Sequence, residues 1–145
     1  MNWVSAQEDC GGVLSPDKDG LRQLYNIKEG SAVAWQKQES DQPTDMLVGR
    51  FVFDAAAFAE ATKWLDVQLK DPNIKTLVLD EIGPLELSGG GWNSWLTKVF
   101  KNETSKTFIL VVREGLVEKV VAHYGIANYT VVTEEYFKGL GDGVI

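Results

Sequence analysis

At 145 residues, with 44% hydrophobic and 10% aromatic residues, the chain has the size and apolar content of one domain around one core, residues 1–145. A formal net charge of -7 argues against a nucleic-acid-binding surface, which needs clustered Lys and Arg, and no apolar run approaches the ~20 residues of a membrane span. Cys10 is the only cysteine, which excludes an intrachain disulfide or cysteine-based zinc site; with no signal-peptide pattern at the amino terminus, a reducing, cytoplasmic setting is expected.

Residues 1–7 carry Trp3, Val4 and Ala6 and read as the last turns of a helix that Cys10-Gly11-Gly12 ends. Residues 12–15 begin a strand, Pro16 to Gly20 form a turn by composition, and the alternation of Leu21, Gln23, Tyr25 and Ile27 continues as a hairpin through Glu29-Gly30 into Val33 and Trp35. These strands are expected to form an antiparallel meander. Residues 37–45 read as an exposed polar loop, and residues 47–53 as a further strand.

Asp54 is a natural N-cap, with Phe53 and Phe58 at hydrophobic-staple positions around it. Phe58, Ala61, Leu65 and Leu69 then share one face of a helix over residues 55–70, which Asp71-Pro72 stops. From there strand and helix alternate, implying crossovers and parallel pairing. Strands are expected at 74–79 and 107–112, both buried, and at 129–132, and helices at 92–100 and 116–124, the latter closed by Gly125. Thr133 can cap a last short helix with Glu134 and Glu135 in its first turn.

The segment with chemical content is Thr76-Leu77-Val78-Leu79-Asp80-Glu81-Ile82-Gly83-Pro84-Leu85-Glu86-Leu87. A buried strand ending in two carboxylates places them at the carboxyl edge of a parallel sheet, where open α/β folds bind ligands. Magnesium prefers hard oxygen ligands, and an attacking water needs an acceptor; Asp80 suits the first task and Glu81 the second. Acidic residues also follow buried strands simply where the chain leaves the core, so the pattern by itself leaves both readings open.

DEIGPLEL resembles the Walker B region, DEIG-(K/P)-(M/L)-E-L, of the small P-loop nucleoside triphosphatases known as cancer-related nucleoside triphosphatases. Val48-Gly49-Arg50-Phe51-Val52-Phe53-Asp54 followed by Phe58-Ala59-Glu60, and Gly11 to Ser15 followed by Gly20-Leu21-Arg22, are similar to further segments of that family in the same order. The resemblance implies a three-layer P-loop α/β fold with a mainly parallel sheet and an antiparallel hairpin region. It also implies magnesium-dependent hydrolysis of a nucleoside triphosphate, with Asp80 on the metal and Glu81 on the water.

The departure from that family is the phosphate loop. No GxxxxGK[ST] occurs, and Gly89-Gly90-Gly91 is followed by neither Lys-Ser nor Lys-Thr. The amides that cradle a β-phosphate, the loop lysine and the hydroxyl ligand of magnesium are therefore missing, as is the first strand that precedes them. Residues 1–12 align with the end of the helix that follows the loop, as expected if Met1 lies inside a longer gene; a shortened paralogue is the alternative. A sheet without that strand would close the gap, expose an edge or recruit a partner, for which a homodimer is the simplest form.

Arg113, after the strand over 107–112, would share the ligand edge with Asp80 and could stabilise γ-phosphate charge, or be a solvated strand-end arginine. Arg50 is either a family basic position or an edge charge. His123 reads as a surface histidine, Trp92 and Trp95 as core, Cys10 as a small buried residue, and residues 88–91 equally as a mobile closing loop or a connector. Two functions remain: an NTP-hydrolysing domain that is inactive without a Walker A loop, and a non-catalytic α/β protein-interaction domain.

Overall fold

The computed structural model describes residues 8–102 and 104–133. The helices expected in residues 1–7 and after Thr133 lie outside that range. Nine strands are described: β1 (Cys10–Leu14), β2 (Asp17–Lys18), β3 (Leu21–Asn26), β4 (Ser31–Ala34), β5 (Gln36–Lys37), β6 (Met46–Val48), β7 (Phe51–Phe53), β8 (Thr76–Ile82) and β9 (Thr107–Val112). The four described helices are α1 (Ala55–Lys70), α2 (Pro84–Leu87), α3 (Asn93–Lys101) and α4 (Val117–Tyr124).

The main sheet runs β2-β3-β1-β8-β9, with β4 on the other edge of β3. Its centre is parallel, β1 with β8 and β8 with β9, and the hairpin region is added antiparallel through β3. The expected α/β sheet with an antiparallel hairpin is therefore present, but Cys10-Gly11-Gly12 opens a strand instead of ending a helix. That strand is not confined to a meander. Gly12 permits this pairing: its φ is +118°, and a Cβ there would meet the Val78 carbonyl oxygen at 1.9 Å. The missing side chain brings β1 against β8.

Residues 47–53 form a hairpin rather than one strand, because Gly49 at φ +60° turns the chain between β6 and β7. With β5 they make a separate three-stranded antiparallel sheet. Lys37, the last residue of β5, is tied to Asp41 and Asp45 of the loop that follows, and its ammonium holds the Asp45 carboxyl down to about 2.

Helix α1 has the expected limits. Asp54 Oδ1 accepts from the Ala56 amide at 2.9 Å, and Trp35 packs on both Phe53 and Phe58, so the staple is made through an intervening ring. The larger core joins Ala61 and Leu65 of α1, Trp95, Leu96 and Val99 of α3 and Val120 of α4 to Val13, Leu24, Leu77, Leu79 and Ile82 of the sheet. Cys10, Leu14, Ile27 and Val78 form a second cluster on the alternate strand positions, and no residue of a described helix enters it.

Two expectations about strands change. β9 is an edge strand among the described residues, with Val111 40% exposed, rather than fully buried. Residues 129–132 form no strand; Tyr129, Val131 and Val132 are exposed, and no described segment pairs with them.

Candidate active site

The parallel strands β1, β8 and β9 end on the same side, and their last residues and first following residues bring Ser15, Asp80, Glu81 and Arg113 to one edge. A β-bulge shapes this edge. Asp80 pairs with Val111 and Ile82 with Val112, so Glu81 has no counterpart on β9. An extra residue bends a strand and re-aims a side chain. Here it leaves Glu81 at the rim while Ile82, 0% exposed, stays in the core.

Arg113 follows β9 directly. Its amide donates to the Ile82 carbonyl at 2.9 Å, and its Nη2 donates to Glu81 Oε1 at 3.3 Å. Both side chains are open to water, at 58% and 31% exposure for Arg113 and Glu81. Gly83 lies beneath the pair, since a Cβ there would sit 3.8 Å from Arg113 Nε and 4.0 Å from Glu81 Oε1.

Asp80 has a different environment. Its Oδ2 accepts from the Ser15 amide at 3.3 Å, and the nearby Ser15 hydroxyl and Arg22 guanidinium favour its anion. Burial is the larger effect and raises its pKa, with the Glu81 charge acting in the same direction. Arg22 Nη1 in turn donates to the Ser15 carbonyl at 3.2 Å and to the Ser15 hydroxyl at 3.4 Å. Asp80 and Glu81 thus point to separate partners, Asp80 toward Ser15 and Arg22, Glu81 toward Arg113.

Glu86 organises the next segment. It is 4% exposed; Oε1 accepts from the Gly83 amide at 2.9 Å and Oε2 from the Trp92 amide at 3.0 Å. One carboxylate therefore ties together both ends of the segment that includes Gly89-Gly90-Gly91. Gly91 leaves it room, because a Cβ there would fall 1.9 Å from Glu86 Oε2. Burial raises the Glu86 pKa, and the two amides oppose that shift.

Of the residues singled out by sequence, Asp80, Glu81 and Arg113 share this edge. His123 is elsewhere, exposed and within 3.1 Å of Asn93 Oδ1. Arg50 lies over the Phe51 ring at 5.1 Å, in the turn between β6 and β7 of the separate small sheet. Trp92 and Trp95 are core residues, 2% and 4% exposed. Cys10 is buried and free, which pushes its thiol up to about 11.

Ser15 and Arg22 are the additions the sequence reading did not assign to the site. Both stand in the segments that resemble the triphosphatase family, and that was the available signal. A meander in which residues 12–15 paired only with their neighbours gave no reason to carry Ser15 to Asp80. Two surface depressions of about 650 and 490 Å³ lie at the other end of the sheet, around Lys106 and Asp66 respectively. Neither includes the paired carboxylates.

No protein-family model matches the sequence, and no curated protein does so at a significant level. Among solved structures the fold is similar to that of THEP1 from the hyperthermophile Aquifex aeolicus, with a TM-score of 0.59 and 14% identity over 83% of this chain and 70% of that one. The likeness supports a P-loop NTPase-like α/β fold, with a parallel sheet centre and added antiparallel strands.

Proposed function

We propose that this chain carries the acidic side of a magnesium-dependent nucleoside triphosphatase site and does not hydrolyse nucleotide by itself. The observation behind this reading is the bulge that presents Glu81 beside Arg113, one residue from Asp80, at the carboxyl edge of parallel strands. Glu81 would orient a water and accept its proton, and Arg113 would offset charge on the γ-phosphate.

Asp80 is the residue that would hold magnesium. Among the described residues no three His, Cys, Asp or Glu side chains converge as a metal cage. That suits an ion carried by phosphates, since magnesium is usually bound through one or two carboxylates together with phosphate oxygens and water. Magnesium would neutralise phosphate charge. The buried Asp80 carboxyl, with its raised pKa, favours its ionised form more when a cation is near.

The absent GxxxxGK[ST] limits binding. Calorimetric titration of the chain with ATP or GTP and magnesium is expected to give affinity no tighter than about millimolar, because phosphate-cradling amides and a loop lysine are missing. Micromolar affinity would require another phosphate site and would overturn this account of the deficit.

A second reading, as a non-catalytic interaction domain, is favoured by β9. Its sequence TFILVV is a continuous apolar run, and β8 is its one partner among the described residues, so its other edge offers backbone groups for pairing. A homodimer in which two such edges pair would satisfy the open backbone groups.

A further inference from the structure

Arg22 reaches this edge by the geometry of β3. That strand runs antiparallel to β1, pairing Leu14 with Tyr25, and its earlier residues continue past the end of β1. Arg22 therefore stands beyond the carboxyl end of β1, where it pairs with Asp17 of β2 and reaches Ser15 through Nη1. Among the described residues only Nη1 of its guanidinium is engaged. Nε and Nη2 remain available, in a planar fork suited to phosphate oxygens.

The arrangement around the carboxylates is two-sided. Arg22 stands on the β3 side of Asp80 and Arg113 on the β9 side of Glu81. β3, β1, β8 and β9 are consecutive neighbours in the sheet, so the strands bearing the two arginines are three spacings apart, roughly 14 Å. Each side chain leans inward, toward the carboxylates. A chain of phosphates lying along this edge can meet a guanidinium on either side of the two carboxylates.

We propose that Arg22 is a second phosphate-contacting residue of this site, and that the site takes an extended polyphosphate bridging Arg22 and Arg113. This rests on the nucleotide reading above. Ser15 fixes the Arg22 guanidinium by one nitrogen and leaves the others to the ligand, so the Ser15 contact and phosphate binding are compatible.

The sequence contains three arginines, Arg22, Arg50 and Arg113, which makes the test direct. The full chain, labelled with nitrogen-15, is titrated with inorganic triphosphate in excess magnesium while the arginine Nε–Hε signals are followed. Arg→Lys variants assign the signals. Arg22 and Arg113 are expected to shift saturably with one midpoint while Arg50, in the small sheet, stays still; orthophosphate should not reproduce the joint response. Arg22→Gln is expected to raise the triphosphate midpoint by about fivefold or more, in keeping with loss of a charge-assisted contact. If Arg113 shifts alone, Arg22 is only a strut for Ser15 and the proposal fails while the nucleotide reading survives. A response of Arg22 alone overturns the shared ligand. If neither signal moves well above the millimolar range, both the proposal and the nucleotide reading fall.

Discussion

Arg113 Nη2 stands 3.3 Å from Glu81 Oε1 across the end of the β8–β9 pair, and both side chains remain open to water. Such a pair adds little to folding, since solvent screens it and holding two side chains together has an entropic cost. Arg113→Ala is expected to change unfolding free energy by under about 1 kcal/mol, as measured by urea denaturation. A much larger loss would make the pair a structural fastening and weaken its assignment to phosphate chemistry.

A chimera that restores an amino-terminal strand, P-loop and helix should separate the roles of the neighbouring acids. Glu81→Gln is expected to keep nucleotide binding and cut phosphate release by roughly a hundredfold or more, as general-base loss does. Asp80→Asn should instead alter the magnesium dependence, because it removes charge from the metal's surroundings. Arg113→Gln should slow turnover less than Glu81→Gln. Unchanged hydrolysis in Glu81→Gln would reduce the DEIG segment to an ordinary strand end.

Glu86 offers a test of how the rim is held. Its carboxylate satisfies the amides of Gly83 and Trp92, so Glu86→Ala leaves two buried donors without their acceptor. A loss of about 2–4 kcal/mol is expected by chemical denaturation, from desolvated amides and the emptied space together. Amide exchange at Gly83 and Trp92 should accelerate beyond exchange in the distant β6–β7 hairpin. Equal acceleration everywhere would mean that the bridge is not local.

The same burial predicts an acid-side rise in stability. Glu86 and Asp80 have pKa values raised from 4.5 and 3.8, so each binds its proton more tightly when folded. Their contribution therefore grows as pH falls through the raised folded values toward 4.5 and 3.8, and is absent at higher pH. Asp45 acts oppositely: its pKa is lowered from 3.8 to about 2, and its contribution is lost on acidification between those values. Urea midpoints measured across pH should peak on the mildly acidic side, and Glu86→Ala should flatten the rise. A monotonic fall from neutral pH would contradict this assignment.

How far the sequence could be read followed the range of the interactions. Helix α1 was legible at both ends because Asp54 caps it and Asp71-Pro72 stops it within a residue or two. β9 was legible in extent from its apolar run, and α4 in its end from Gly125 at φ +63°. The parallel pairing of β1 was not legible. It matches Gly12 with Val78, far apart in sequence, and depends on a glycine that local composition had assigned to a helix end. The Asp80, Glu81 and Arg113 constellation followed from strand-end logic, whereas Ser15 and Arg22 needed that unrecognised pairing. Residues 129–132 have the β-branched composition of a strand without a described partner, which composition alone cannot supply.

β9 supplies an association test. If its open edge pairs with a second copy, light scattering at micromolar concentration should show more than the 16.1 kDa monomer, and Val111→Lys should shift the population toward monomer. A monomer at every concentration would remove the homodimer. Val111 is 40% exposed, so the lysine should be accommodated without disturbing the core.

The bulge in β8 also separates what the sheet requires from what the rim displays. Val111 and Val112 are consecutive on β9, yet they face Asp80 and Ile82, so deleting Glu81 would leave those partners in regular succession. Leu77 and Leu79 would stay on the face of the larger core, Val78 and Asp80 on the other, and Ile82 would remain on the first. By strict alternation without the bulge, a residue at Glu81's place in the chain would point into that core. Glu81 is thus surplus to the strand's architecture: the fold interrupts a parallel ladder to accommodate a carboxylate that its packing does not need.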